Sequence, residues 1–159
     1  GVVSAVSTYI TTSLTMSHSL TVTDDSLTAG EIYTFQIRAK NAKDYSEWSD
    51  GLIVALVDPP LQASSPQVDR ELSGTNSLYF YWANVADASG DGGKVSGYEL
   101  QIDDAGNGNY ETIYYGVGQP LRTYFLATDL ISGAIYHTRV RAYNFNGYGD
   151  WSSIASFEV

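Results

Sequence analysis

Cysteine is absent from these 159 residues. Without thiols the chain can build neither a disulfide framework nor a thiolate metal centre, and it has no cysteine nucleophile. Basic residues are scarce: 8 Lys and Arg stand against 18 Asp and Glu, a formal charge of −10. The imbalance runs through both halves, with 3 basic and 7 acidic groups in residues 1–60 and 5 and 11 in residues 61–159. No basic stripe is available to neutralise phosphates, which excludes nucleic acid as a partner and disfavours an anionic membrane surface. Long apolar runs are missing too, so no stretch reaches the roughly 18 residues of a helical membrane span, and direct membrane insertion of this segment is not expected.

Catalytic vocabulary is equally thin. Only two histidines occur, His18 in a Ser/Thr-rich stretch and His137 beside Arg139, and the alternation described below turns His137 outward as a surface residue. There is no phosphate loop, no dinucleotide fingerprint and no metalloprotease helix, so neither a cofactor nor an enzyme is expected. The Arg-Gly-Asp tripeptide and Asn-x-Ser/Thr sequons are also lacking.

What the chain does have is 13 Tyr, 5 Phe and 3 Trp in a 43% hydrophobic composition, ample β-favouring material for a core. The patterning has period 2. Leu78, Phe80 and Trp82 alternate with Tyr79 and Tyr81; Tyr98, Leu100 and Ile102 share one face; Tyr136, Thr138, Val140 and Ala142 alternate with His137, Arg139, Arg141 and Tyr143. By the same rule Tyr124, Leu126, Thr128 and Leu130 form one face of another strand. Gly-, Asn- and Asp-rich clusters (DASGDGGKVSG, DDAGNGN, GVGQP, NFNGYG) separate these strands at short intervals and supply the left-handed backbone of tight turns. No helical stripe is present, and the expectation is an all-β sandwich. Val57-Asp58-Pro59-Pro60 lacks two backbone donors and reads as a short, stiff interdomain linker.

The stretch DYSEWSD at 44–50 returns as GYGDWSS at 147–153, and superposing the halves at an offset of 103 gives nine identities in the twenty positions from Gly30 to Ser49. Gly30, Ile32, Tyr33, Arg38, Ala39, Asn41, Tyr45, Trp48 and Ser49 match Gly133, Ile135, Tyr136, Arg141, Ala142, Asn144, Tyr148, Trp151 and Ser152. A period near 100 is the size of a whole small domain.

The repeated L-x-x-G-x-x-Y, as Leu27, Gly30, Tyr33 and as Leu130, Gly133, Tyr136, resembles the tyrosine corner of fibronectin type III domains. Ala142, Asn144, Gly147 and Ser152 are similar to the family's last two strands, and Trp82 stands where the family keeps a core Trp. The resemblance implies an immunoglobulin-like β-sandwich in two tandem modules. Residues 58–159 make a complete domain, while residues 1–57 make only the C-terminal part of one (strands C′ to G in the family's lettering), having no counterpart of Trp82 or of Tyr98 to Ile102. The chain, which opens on GVVSAV, is therefore expected to come from a longer parent or to receive the missing strands from another molecule. Y-S-E-W-S and Y-G-D-W-S also resemble the W-S-x-W-S box of cytokine-receptor modules, and the resemblance implies that Arg38, Trp48, Arg141 and Trp151 form arginine–aromatic ladders with a structural role. Leu27, Gly30, Tyr33, Leu130, Gly133, Tyr136 and Trp82 are structural positions on the same grounds.

Two weaker site candidates remain. Asp87 and Asp91 in one turn, and Asp103 and Asp104 in the next, offer hard oxygen ligands for Ca²⁺, although the Glu that would close a calcium loop is replaced by Tyr114. Tyr79, Tyr81, Tyr114 and Tyr115, read as outward, offer rigid contact area for a protein partner. The function implied is a non-catalytic structural or adhesive module of a multidomain extracellular or cell-surface protein that touches other chains or neighbouring domains. An accessory spacer of a secreted carbohydrate-active enzyme and an intracellular cytoskeletal or ciliary scaffold are the alternatives.

Overall fold

The period-2 segments become strands, and no α-helix forms among the residues the structure describes, 19–21 and 27–159 of a computed structural model. In chain order these are β1 (Ile32–Phe35), β2 (Leu52–Ala55), β3 (Gln67–Gly74), β4 (Ser77–Tyr81), β5 (Gly97–Asp103), β6 (Tyr110–Tyr115), β7 (Tyr124–Ala127), β8 (Ile135–Asn144), β9 (Gly147–Tyr148) and β10 (Ala155–Glu158). A single 3-10 turn, Asp91–Gly93, precedes β5. From residue 67 on, the strands make two antiparallel sheets, one ordered β3-β4-β7 and the other β10-β8-β5-β6 with the short β9 on β8. Strands β1 and β2 form a separate two-stranded sheet.

The two larger sheets bury their facing sides against each other. Leu78 and Phe80 from β4, Leu100 from β5 and Val140 from β8 are each 0% exposed. Aromatic rings bridge the layers: Trp82 lies 5.8 Å from both Tyr98 and Tyr114, and Phe80 meets Phe157 edge-on at 5.9 Å. Leu130 packs against this cluster and Tyr136 belongs to it. Along β8 burial alternates without interruption from Tyr136 to Asn144, the signature of a central strand with one wet face.

Two segments run out of phase with the sequence reading. In β7 it is Phe125 and Ala127 that turn inward, because they lie opposite Phe80 and Leu78 of β4 and residues directly opposed in a ladder share a face. Tyr124 and Leu126 therefore point outward, and the Tyr124 ring stacks on Tyr79 at 5.7 Å. In β6 the ladder with β5 slips between Leu100 and Gln101, leaving Ile113 as an extra residue. There Tyr114, read as an outward anchor, is a core ring, 6% exposed, while the adjoining Tyr115 is 59% exposed, as read.

Truncating the ring that joins the layers leaves a large cavity. Trp82→Ala is expected to lower stability by about 3 to 5 kcal/mol, read as a fall in Tm, whereas Leu121→Ala at a surface position should stay within about 0.5 kcal/mol; equal Tm changes would contradict this placement of the core.

Candidate functional site

The wet face of β8 carries His137, Arg139, Arg141 and Tyr143, and three of these are spoken for by one continuous stack. The Arg139 guanidinium lies between the rings of Tyr110 (4.2 Å) and Trp151 (4.4 Å); the Arg141 guanidinium lies between Trp151 (4.2 Å) and Tyr148 (3.7 Å); Tyr148 meets Tyr143 edge-on at 5.0 Å. Strand β5 anchors the cations from below. Glu99 accepts from Arg141 Nε at 2.8 Å and pairs with its terminal nitrogen at 2.6 Å, and Gln101 Oε1 accepts from Arg139 Nε and Nη2 at 3.0 and 2.8 Å. Cation, ring and carboxylate are held in charge-assisted geometry on a rigid sheet. Burial raises the Tyr148 hydroxyl, and its hydrogen bond to Tyr115 and the nearby Glu99 raise it further, so it remains protonated across the physiological range. The stack offers planar, saturated contact surface and no free acid, base or nucleophile.

The other half of the duplication repeats the Arg141 part of this stack and the serine bonds beside it. The Arg38 guanidinium stacks on Tyr45 (3.9 Å) and Trp48 (4.4 Å). Ser49 and Ser152 act as identical hooks: Ile37 N donates to Ser49 Oγ at 3.0 Å as Val140 N does to Ser152 Oγ, and each Ser N–H returns a bond of 2.8 Å to the same residue's carbonyl. The corners coincide as well. Thr28 N donates to the Tyr33 hydroxyl at 2.7 Å and Ile131 N to the Tyr136 hydroxyl at 3.0 Å, while Gly30 and Gly133 both adopt positive φ (86° and 76°), which a side chain would resist. Gly30 N bonds the Leu56 carbonyl as Gly133 N bonds that of Val159. Leu27 is buried like its partner Leu130 is packed.

Between the halves lies a pinned junction that the sequence reading treated only as a turn and a linker. Asn146 clamps the end of β2, accepting from Ala55 N at 3.3 Å and donating to the carbonyls of Ala55 (2.8 Å) and Val57 (2.6 Å). Asn144, fully buried, donates to the Asp58 carbonyl at 2.9 Å. Gly92 N donates to Gly30 O at 2.9 Å, and a side chain on Gly30 would run into the backbone of Ser89.

The acidic candidates do not converge. Asp87 Oδ1 accepts from Val95 N at 2.7 Å, and Asp91 pairs with Lys94 at 2.7 Å, which draws its carboxyl down to about 2. Asp103, 1% exposed, accepts from His137 N at Oδ1 (2.7 Å), while its Oδ2 accepts from Gly108 N and meets His137 Nδ1 at 2.8 Å. Among the described residues no group of three or more His, Asp or Glu is placed to hold a metal ion. His137, expected on a bare surface, is instead bonded to Asp103 at the end of β5; its place next to Thr138, which lies opposite Ile102, is a register effect that no local motif announces.

Burial pushes the Asp103 carboxyl up, but the His137 backbone and ring and the N–H groups of Gly106 and Gly108 together hold it below its ordinary value. A carboxylate lowered by folding contributes stability above about pH 4, lost as the pH falls through the folded value. Asp103→Asn should therefore cost on the order of 2 kcal/mol at neutral pH and flatten the acid limb of stability against pH below about 4; urea melts across that range check both, and an unaltered acid limb would place the effect elsewhere.

The fibronectin type III domain pattern matches residues 64–158 of the chain. Among solved structures, the sixth fibronectin type III domain of human fibronectin type III domain containing protein 3 is 24% identical at a TM-score of 0.52, covering 64% of this chain and 87% of that one. The FN1-FN3 domains of chicken CNTN1 align over 86% of this chain and 44% of theirs, at 21% identity and a TM-score of 0.55. Domains A168-A170 of titin align over 76% and 38%, at 22% and 0.52. At these identities the likenesses establish fold alone, but the match to residues 64–158 spans more than half the chain, over a sandwich with its tyrosine corner in place: the chain belongs to the fibronectin type III family.

Proposed function

We propose that the chain is a stretch of a tandem array, residues 58–159 forming one whole fibronectin type III domain and residues 1–57 the C-terminal part of another, and that it serves as a spacing and adhesive module of an extracellular or cell-surface protein. Fibronectin type III domains are in general non-catalytic modules of protein–protein contact in multidomain proteins. The observation that carries the tandem reading is the repetition of corner, serine hook and cation stack at a constant offset of 103, down to the individual hydrogen bond. The likeness to the three-domain CNTN1 segment supports it, since the aligned 86% of the chain exceeds the length of one domain. A spacer requires a fixed angle between neighbours, and the junction has the means: Asn144 and Asn146 tie the linker backbone to the second half, and glycines allow Gly30 and Gly92 to meet without side chains between them.

The saturated stack is a brace in this reading. It locks the β5–β8 surface flat and leaves partner contact to the exposed Tyr81, Tyr115, Tyr124 and Leu126 and to the loops.

Asn146→Ala is expected to loosen the junction without unfolding the sandwich. Small-angle scattering should then show a broader distribution of intramolecular distances, and limited proteolysis should cut at least severalfold faster between 55 and 60 while Tm changes little; an unchanged scattering curve would remove the fixed-spacer role. Location is read independently: external protease applied to intact source cells should release peptides of this chain, and their retention until lysis would favour an interior scaffold.

A further inference from the structure

The dipeptide Asn-Gly occurs twice, at Asn107-Gly108 and Asn146-Gly147, and the two copies stand in different structural positions. Asn107 is exposed in the β5–β6 hairpin, where its N–H bonds the Asp104 carbonyl at 3.0 Å within the same turn. Asn146 is also exposed, in the turn between β8 and β9, but its side chain reaches the backbone of a residue 91 positions earlier. Oδ1 takes the N–H of Ala55, Nδ2 serves the carbonyls of Ala55 and Val57, and the Asn146 N–H is itself held by Asn144 Oδ1 at 3.0 Å. The clamp needs a carboxamide, since a carboxylate of the same shape could accept from Ala55 N but could donate to neither carbonyl. Gly147 adds the second half of a reactive pair. It carries no side chain to shield its backbone nitrogen, and a Cβ built on it would meet nothing within 4 Å, so the space beside that nitrogen is open.

We infer that Asn146 is a site of spontaneous modification, deamidation through a cyclic imide, and that its conversion unfastens the junction. The Gly147 backbone nitrogen bonds to Asn146 Cγ while the Cγ–Nδ2 bond breaks, and ammonia leaves with the proton of the Gly147 N–H. Water, the one co-reactant, then opens the imide at either carbonyl and gives aspartate or isoaspartate, with no oxidation or reduction. Either product replaces two N–H donors by a carboxylate facing the Ala55 and Val57 carbonyl oxygens, acceptor against acceptor at spacings of 2.8 and 2.6 Å set for hydrogen bonds. Isoaspartate also lengthens the main chain by one carbon between Asn144 and Gly147, which are paired across the β8–β9 turn. Before conversion the clamp guards its own amide. Ring closure requires the carboxamide to rotate free of its three bonds to the linker, so the reaction waits for local opening of the junction. Opening is reversible until the amide is lost and permanent afterwards. This rests on the fixed-junction reading above and adds to it a built-in, irreversible release.

The test is to incubate the full chain in mildly alkaline buffer beside a synthetic peptide of residues 143–148 (YNFNGY), following both Asn-Gly sites by peptide mapping and mass spectrometry. Asn107 is expected to convert first. Asn146 is expected to yield aspartate and isoaspartate about tenfold more slowly than in the peptide, the protection conferred by its clamp. As Asn146 converts, limited proteolysis between 55 and 60 should quicken at least severalfold while Tm changes little. Asn146→Asp should reproduce the faster cleavage without ageing, and Asn107→Asp should leave it unchanged. Conversion of Asn146 at the peptide's rate, or none at all once the peptide is exhausted, overturns the guarded site. If Asn146→Ala is cut faster but the aged chain and Asn146→Asp are not, the proposal fails and the fixed-spacer reading stands; if none of the three is cut faster, both fail.

Discussion

The structure depends above all on the burial of one side of β8. Tyr136, Thr138, Val140, Ala142 and Asn144 all lose their water there, and every other element of the second half is arranged to cover them: β5 and β10 flank the strand, and β4 closes over it from the opposite sheet. Because side chains alternate strictly along a strand, fixing that inward set also fixes the outward one. The cation stack is thus a by-product of the core. Arg139 and Arg141 stand two residues apart on the wet face because Val140 between them must be dry, and that spacing admits Trp151 between two guanidinium planes.

This coupling explains why the surface is rich in chemical groups and poor in chemistry. The arginines are shared by rings and by Glu99 or Gln101, Asp103 is closed over by backbone N–H groups, and Asp91 is answered by Lys94. Groups so fully partnered resist movement and brace the β5–β8 surface.

Much of the fold was legible because alternation and burial are the same fact in a half-wet sheet: Leu78, Phe80 and Trp82 on one face, and the β8 set on another, follow from spacing alone. The failures have specific causes. Tyr114 and the adjoining Tyr115 were both read as outward; only pairing with β5, with a bulge at Ile113, shows that Tyr114 faces the core. Phe125 and Ala127 were misplaced because Tyr, Phe and Leu at 124–126 are all apolar enough for either face, and only pairing with β4 decides between them. Asp103 read as a turn carboxylate because its neighbours in sequence are turn residues, whereas its partner, His137, is 34 positions away.

By itself the sequence determined the class of architecture and the self-similarity at an offset of 103, since each resides in composition, turn chemistry or repetition and needs no contact to be seen. It also determined that no thiol chemistry is available. Tertiary structure decided which face of β6 and β7 is dry, which carboxylate serves Arg141, and that Asn144 and Asn146 fasten the linker. Those choices depend on ladder register and on groups some 30 to 90 positions apart meeting in space, and a period of two along one strand holds no information about the strand beside it.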